Sequence, residues 1–447
     1  MGLFTSNLIK NVFIGKNVSY WNDSMSNLFL NCPVFNAPIT IPDSVTNMYQ
    51  TFMSCYNFNQ PVNIPNSVVS MSGTFMGCNN FNQPVTIPDS VTDISSLFFN
   101  CPVFNAPVTI GNNVTNMYQT FRNCPAFNQP VIIPDSVTRV DHLFYLDRQM
   151  NSQVIIGNGL QVIDNMFMEC LNFNAPVTIG NNVTNMYQTF MNCYNFNQPI
   201  TIPSKIVNMV NAFANCHNFN APVTIENGVS SIGMAFINCK NFNQPITIPG
   251  SITATGGAFY SCTNFNAPVT IENGITTMFN MFGSCDSFNQ PINIPDSVTS
   301  LVNAFKSCSK FNQSMVIPNS VVNMSGTFDS CKMINTDIVV GTGVNNMYRA
   351  FYYGQYPANI FILSNKVANV KQMIYGTGNT YTKNIFVIAG STTNTKMANT
   401  SSSYSITGAT ISWTKDTANN HYYNAKSNIH VYYKSLDEIV GLINKEV

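Results

Sequence analysis

Charge is what this chain has least of. Lys, Arg, Asp and Glu make up 9% of its 447 residues, and nineteen basic side chains cancel nineteen acidic ones. With no basic stripe to neutralise phosphates, the sequence argues against general nucleic-acid binding. Histidine is scarce too. His142, His217, His421 and His430 lie far apart, without partners at the spacing of a metal site or a catalytic triad. No glycine-rich phosphate loop occurs and no carboxylate pair recurs, so the chain reads as a non-enzyme with no cofactor. Asp141, His142 and Asp147 fall together in sequence and form the one weak candidate for a metal site. Long apolar runs are missing as well. No window approaches 18 apolar residues, so no membrane insertion is expected, and the start, MGLFTSNLIKNVFIGK, lacks the apolar core of a signal peptide. Ser6 after the Met-Gly start fits a short myristoylation pattern that nothing else supports. Solubility must then rest on Asn, Ser, Thr and Gln, a surface more typical of proteins that work outside cells.

What the chain has is repetition. Thirteen cysteines stand at 32, 55, 78, 101, 124, 170, 193, 216, 239, 262, 285, 308 and 331, each 23 residues after the last except for one double step. The skipped position holds Asp147, and a phenylalanine precedes each of these positions by three, from Phe29 through Phe144 to Phe328. A fixed period of this length is the signature of a solenoid, whose core grows along one axis. Thirteen thiols, odd in number and one per repeat, do not make a disulfide framework. Each lies on an apolar face beside a core Phe, where a buried Cys acts as a small hydrophobe.

Within a repeat, Val45, Met48, Phe52 and Cys55 follow helical spacing, and Pro-Asp-Ser ahead of Val45 supplies an N-cap. Val62 and Ile64 share one face of a strand that Pro61 and Pro65 keep short. Each coil is therefore expected to run strand, turn, helix, turn. Strands pack about 4.8 Å apart and helices need about 8 to 10 Å, so the expectation is a curved α/β solenoid of fifteen to seventeen coils with its parallel sheet on the concave side. Residues 1–28 read as an N-terminal cap and 29–388 as the repeat body, degenerate after 353. Residues 389–447 read as a C-terminal cap or attachment module, with strand-like ATISW, HYYNA and NIHVYY and a helical segment from Ser435. At 147–153 the Cys, Phe and Pro columns lapse together, which predicts a kink or a special surface.

Two further columns are candidate sites. Asn36, Asn59, Asn82, Asn105, Asn128, Asn151, Asn174, Asn197, Asn220, Asn243 and Asn266 continue without exception through Asn335. A polar residue beside a core Phe in every repeat reads as a structural ladder that satisfies backbone groups from one coil to the next. Between the inward strand residues lies an outward column: Thr40, Asn63, Thr86, Thr109, Ile132, Ile155, Thr178, Thr201, Thr224, Thr247, Thr270, Asn293, Val316 and Val339. Thr suits any exposed strand, and a regular hydroxyl-rich face also suits a long, regular ligand such as a polysaccharide. The residue after each position of the cysteine column varies freely, as at Tyr56, Asn79, Arg148, His217 and Lys240, and is the other place where specificity could be tuned.

The run VTIPDSVTNM followed by TFMSC resembles the BspA-like leucine-rich repeats of bacterial surface proteins, and FNQP with VTNM is similar to the related repeat that carries Phe-Asn-Gln in each unit. The resemblance covers about residues 29 to 353. One departure is the step of four from Phe58 to Val62, where the family more often has three. The resemblance implies a leucine-rich-repeat-like solenoid for adhesion, without an active site, of a kind found in bacterial and protozoan surface proteins and in phage fibres. With no signal peptide, it points to a phage virion surface protein assembled in the host cytoplasm. Its partners would be a host receptor or polysaccharide, other virion proteins, and further copies of itself as a homo-oligomer. A bacterial cell-surface adhesin, and a structural virion part that binds only a neighbouring subunit, are the alternatives.

Overall fold

The computed structural model describes residues 23–354, 357–375, 383–388, 414–416, 421–424 and 429–446. They belong to two compact units, one ending at Glu226 and the other starting at Asn227. Both are parallel β-solenoids with a 23-residue period, about 13 turns in all, fewer than the fifteen to seventeen coils expected. Most of the expected N-terminal cap, and the polar stretch that opens the C-terminal segment, lie outside the described residues.

In the first unit the strands are β1 (Val85–Thr86), β2 (Val108–Thr109), β3 (Val131–Ile132), β4 (Val154–Ile155), β5 (Ile200–Ile202) and β6 (Val223–Ile225). They pair in parallel and in strict register, Val85 against Val108, Val131 against Val154, Ile200 against Val223. The register is set by the pattern: the residues on either side of the outward position are apolar and face the core, and a slip of one residue would turn them to solvent. The second unit repeats this in β7 (Ile246–Ile248), β8 (Val269–Ile271), β9 (Met315–Ile317) and β10 (Ile338–Val340). Its sheet continues through β12 (Asn359–Ile362), β14 (Lys383–Ile388) and β17 (Ile429–Lys434), all parallel. The short pair β11 (Phe351–Tyr352) and β13 (Ile374–Tyr375) lies apart from that sheet. Antiparallel β15 (Thr414–Asp416) and β16 (His421–Asn424) complete its edge, and one helix, α1 (Leu436–Glu446), follows. Ser435 caps that helix by accepting from the Glu438 N–H at 3.2 Å, while Glu438 accepts from Ser435 N–H at 2.7 Å.

Among the described residues the helix expected in every coil is absent. Over Val45 to Phe58 the chain makes a run of tight turns in which alternate N–H groups have different partners. Thr51, Met53, Cys55 and Phe58 donate three residues back, to Met48, Gln50, Phe52 and Cys55, at 3.0 to 3.2 Å. Met48, Gln50, Phe52 and Ser54 instead donate to Ser70, Ser72, Thr74 and Met76 of the next coil, at 2.8 to 2.9 Å. Two residues per coil, here Gln50 and Ser54, take left-handed backbone with φ 51° and 59°. The same positions are held in other coils mostly by Asn, Ser, Gln and glycines such as Gly73 and Gly77, and for Gly and Asn this conformation costs little. A helix would keep its hydrogen bonds to itself and need a wider spacing than the strands allow. The turn run hydrogen-bonds across coils, so both sides of a coil keep the strand repeat. The spacing difference expected between the two sides is therefore absent within each unit.

Packing follows the period. Phe29, Phe52, Phe75 and Phe98 stack with ring centroids 5.5, 5.7 and 5.8 Å apart, and a second column, Phe35, Phe58 and Phe81, runs beside them at 5.6 and 5.9 Å. Each cysteine is buried. Cys32 faces the Leu30 carbonyl, whereas in later coils the thiol donates to the carbonyl of the Phe 26 residues earlier, as from Cys55 to Phe29 and from Cys193 to Phe167, at 3.0 and 2.9 Å. Burial pushes the Cys55 and Cys101 thiols up to about 12 and Cys216 higher still. The thiols of folded protein should therefore resist maleimide until denaturant is added. Rapid native labelling of most of the thirteen would disprove this packing.

Candidate functional site

The strand face is the most regular surface of the chain. Thr40, Asn63, Thr86, Thr109, Thr178, Thr201 and Thr224 are exposed in the first unit, and Thr247, Thr270 and Asn293 in the second. Neighbouring members sit directly opposite one another in parallel strands, Thr86 beside Thr109, Thr201 beside Thr224, Thr247 beside Thr270. Parallel strands repeat at about 4.8 Å, so the two hydroxyls of each of these pairs lie at that interval. The row is interrupted in the first unit by Ile132 and Ile155, which pair with each other and are 64% and 48% exposed. Beyond them the face hollows into a groove of about 410 Å³, with Thr178, Thr201 and Thr224 along it, Asn181 and Glu226 at its polar side and Pro199 and Pro222 forming apolar walls. Glu226 is held there by the Ser204 N–H, 2.9 Å from its carboxylate.

The asparagine column does different work. Asn59, Asn82, Asn105, Asn128, Asn151, Asn174, Asn197 and Asn220 each donate a backbone N–H to the side-chain oxygen of the asparagine one coil earlier, beginning at Asn36, at 2.7 to 2.9 Å. In the second unit Asn266 donates to Asn243 in the same way at 2.7 Å. Glutamines add a second bond: Gln60 Nε2 reaches Asn36 Oδ1 at 3.1 Å, and Gln198 reaches Asn174 at 3.2 Å. The ladder thus takes up the carboxamide oxygens and leaves their N–H donors outward.

Other polar columns are internal. Thr51 and Thr74 are fully buried, and each hydroxyl donates to two main-chain carbonyls, Thr74 to Met48 and Met71, both at 2.8 Å. These buried threonines recur at 120, 189 and 327. Their recurrence in register was visible in the sequence, but a Thr between apolar residues does not declare which way it faces.

The structure separates the metal-ligating types that gather near 147. Asp147 is fully buried on the core side, where it replaces a cysteine. Asp141 and His142 lie on the turn surface, Asp141 paired with Arg139 at 2.9 Å. Among the described residues the three do not come together as a metal-ligating group. His217 stacks on Tyr194 at 4.8 Å in the variable turns. No helix among the described residues is long and apolar enough to cross a membrane.

Among solved structures the chain is similar to a leucine-rich repeat protein from Bacteroides ovatus at 17% identity, over 85% of this chain and 79% of that one, with a TM-score of 0.42. It is similar to the pneumococcal vaccine antigen PcpA at 13% identity, over 76% and 84% of the two chains, TM-score 0.42. A third is a leucine rich cell surface protein from Faecalibacterium prausnitzii, 20% identical over 76% of each chain, TM-score 0.26. No curated protein matches the chain. Seven overlapping segments, 6–105, 69–156, 131–226, 158–248, 202–293, 231–339 and 278–386, match one family's repeat. The chain belongs to the family described as Mycoplasma protein of unknown function, DUF285.

Proposed function

We propose that this chain is a non-enzymatic surface repeat protein whose strand face binds a polysaccharide or a receptor on another cell. The observation that carries the reading is the row of exposed hydroxyls, Thr178 with the in-register pair Thr201 and Thr224, lying along a groove with one acid and one amide at its side. A flat row of donors and acceptors repeating at strand spacing suits a ligand that is itself long and regular. The carrier we propose is a virion, as the resemblance of the repeats to those of phage fibres implies. A cell surface is the alternative carrier.

Labelled full-length protein should bind some strains of a bacterial panel, and periodate oxidation of surface sugars should abolish that binding. Thr201→Arg, which fills the groove from an exposed position, should weaken it at least tenfold with no change in the melting curve. Absence of binding to every strain would overturn the reading and leave contact with a neighbouring subunit as the role. Finding the chain in purified virions, or its loss from intact cells under added protease, separates the two carriers.

A further inference from the structure

We propose that the turn face around Arg122 and His142, opposite in the coil to the Thr row, is a subsite for the carboxylate of an acidic sugar. The anion site stands on its own geometry, whereas the choice of a sugar as its carrier rests on the glycan reading above.

Basic side chains are very unevenly placed. Between Lys16 and Lys205 there are three, Arg122, Arg139 and Arg148, and they are three of the four arginines in the chain. Arg122 also breaks a column. Its equivalents in the first unit are Met53, Met76, Phe99, Tyr145, Met168 and Met191, none of them charged. An arginine there does what no other coil needs for packing.

Its guanidinium lies between two rings, 5.2 Å from the centroid of Phe99 one coil before and 5.0 Å from that of Tyr145 one coil after. Stacking of this kind engages the faces of the guanidinium and leaves its N–H edge for an acceptor. No acceptor is supplied: Arg122 makes no side-chain hydrogen bond or ion pair among the described residues, and its Nε is buried with no partner. Beside it, His142 stands edge-on to Tyr118 at 6.3 Å and to Tyr145 at 5.7 Å, and its Nδ1 is also buried without a partner. The acids in the same coils are engaged elsewhere. Asp141 pairs with Arg139, which lies over Tyr118 at 4.2 Å. Asp164 accepts from the Tyr187 N–H at 2.9 Å and from Asn185 Nδ2 at 3.0 Å. The second unit shows the contrasting arrangement: Lys306, at the equivalent position, is met by Asp329 of the next coil at 3.5 Å. A charge in this column that serves the fold alone has its counter-ion built in, and Arg122 has none.

A carboxylate matches the fork of N–H donors on a guanidinium and accepts two parallel bonds from it. Arg139 lies over the Tyr118 ring and Arg122 over that of Tyr145, so these two tyrosines meet a sugar with their ring edges and hydroxyls. That combination fits a uronic or a sialic acid better than a small inorganic anion, which has no use for the rings.

The test is calorimetric titration of the full-length protein with oligogalacturonate against its carboxyl-reduced form, with sialyllactose against lactose, and with a sulfated oligosaccharide. At least one carboxylated sugar should bind ten times or more tighter than its neutral counterpart. Arg122→Gln should lose that difference and Arg122→Lys should keep part of it, while Arg148→Gln, in an exposed turn outside the subsite, should leave it unchanged. If Arg122→Gln does not fold, as judged by its melting curve, Arg122→Lys carries the comparison. Equal binding of acidic and neutral sugars, equal binding of the sulfated one, or undiminished binding by Arg122→Gln would overturn the proposal. Failure to bind any acidic sugar by a protein that still binds cells would overturn this subsite and leave the surface reading intact.

Discussion

Replacing Phe190 with alanine should destabilise the first unit by about 3 to 5 kcal/mol, the cost of removing a fully buried aromatic ring from a site that cannot collapse. The ring is 0% exposed. It stacks between Phe167 and Phe213, both at 5.3 Å, and touches Phe196 of the second column at 4.7 Å. The coils on either side are held apart by main-chain hydrogen bonds, such as Phe190 N–H to the Ala212 carbonyl at 2.8 Å. They cannot close over the gap without breaking that ladder, so the cavity stays open. Because each coil is stabilised chiefly by its neighbours, the loss is felt at two interfaces and not one. Urea unfolding followed by circular dichroism gives the number. Phe279→Ala is the control, since that ring is 45% exposed and its loss should stay within about 0.5 kcal/mol. Equal midpoints for the two variants would show that the Phe column is not core.

The second large effect has the opposite sign. Replacing Asp147 with cysteine should stabilise the protein at pH 7 by on the order of 1 to 3 kcal/mol, the cost of a buried polar group left without a partner. Asp147 is completely buried, Oδ1 accepts from the Cys124 N–H at 2.6 Å, and Oδ2 has no partner. Burial holds its carboxyl well above the usual carboxylate range, more than the Cys124 N–H lowers it. The folded state therefore binds this proton more tightly than the unfolded chain, in which the group ionises near pH 4. Below pH 4 the group is neutral in both states and costs no ionisation energy. As pH rises from 4 toward the folded value, the unfolded state gains by ionising and stability falls. The advantage of Asp147→Cys should thus shrink as pH is lowered from 7 to 4. Urea midpoints of both proteins at the two values measure it, and a difference independent of pH would show that Asp147 is not a protonated buried acid. The variant also restores the regular device, a thiol donating to the Phe carbonyl 26 residues earlier, here that of Phe121.

Much of this molecule is legible in its letters because a solenoid turns three-dimensional neighbours into a sequence period. The 23-residue spacing of Cys and Phe dictates which side chains stack, and Thr between two inward apolar residues dictates which way the strand faces, because side chains alternate along a strand. The asparagine ladder was equally readable: one polar residue kept beside a core ring in every coil has to serve the backbone of its neighbour. The expected helix at Val45, Met48, Phe52 and Cys55 failed for a reason that the letters conceal. Steps of three and four bring residues inward equally well in a helix and in successive three-residue turns. What separates the two is where Met48, Gln50, Phe52 and Ser54 send their N–H groups, and those partners lie in the next coil.

The turn face depended on structure in the same way. Arg122 reads in sequence as one variable residue two positions before a cysteine. Only stacking of the coils puts Phe99 before it and Tyr145 after it, brings His142 alongside, and leaves its N–H edge without an acceptor. The sequence by itself determined the period, the core columns and the outward Thr row, because each recurs at an interval that covalent geometry and strand pleat make unambiguous. Tertiary structure alone decided that every coil hydrogen-bonds to the next on both sides, that Asp147 is buried while Asp141 and His142 are not, and that one arginine is left uncompensated, because partners a whole coil apart are set by how the coils stack.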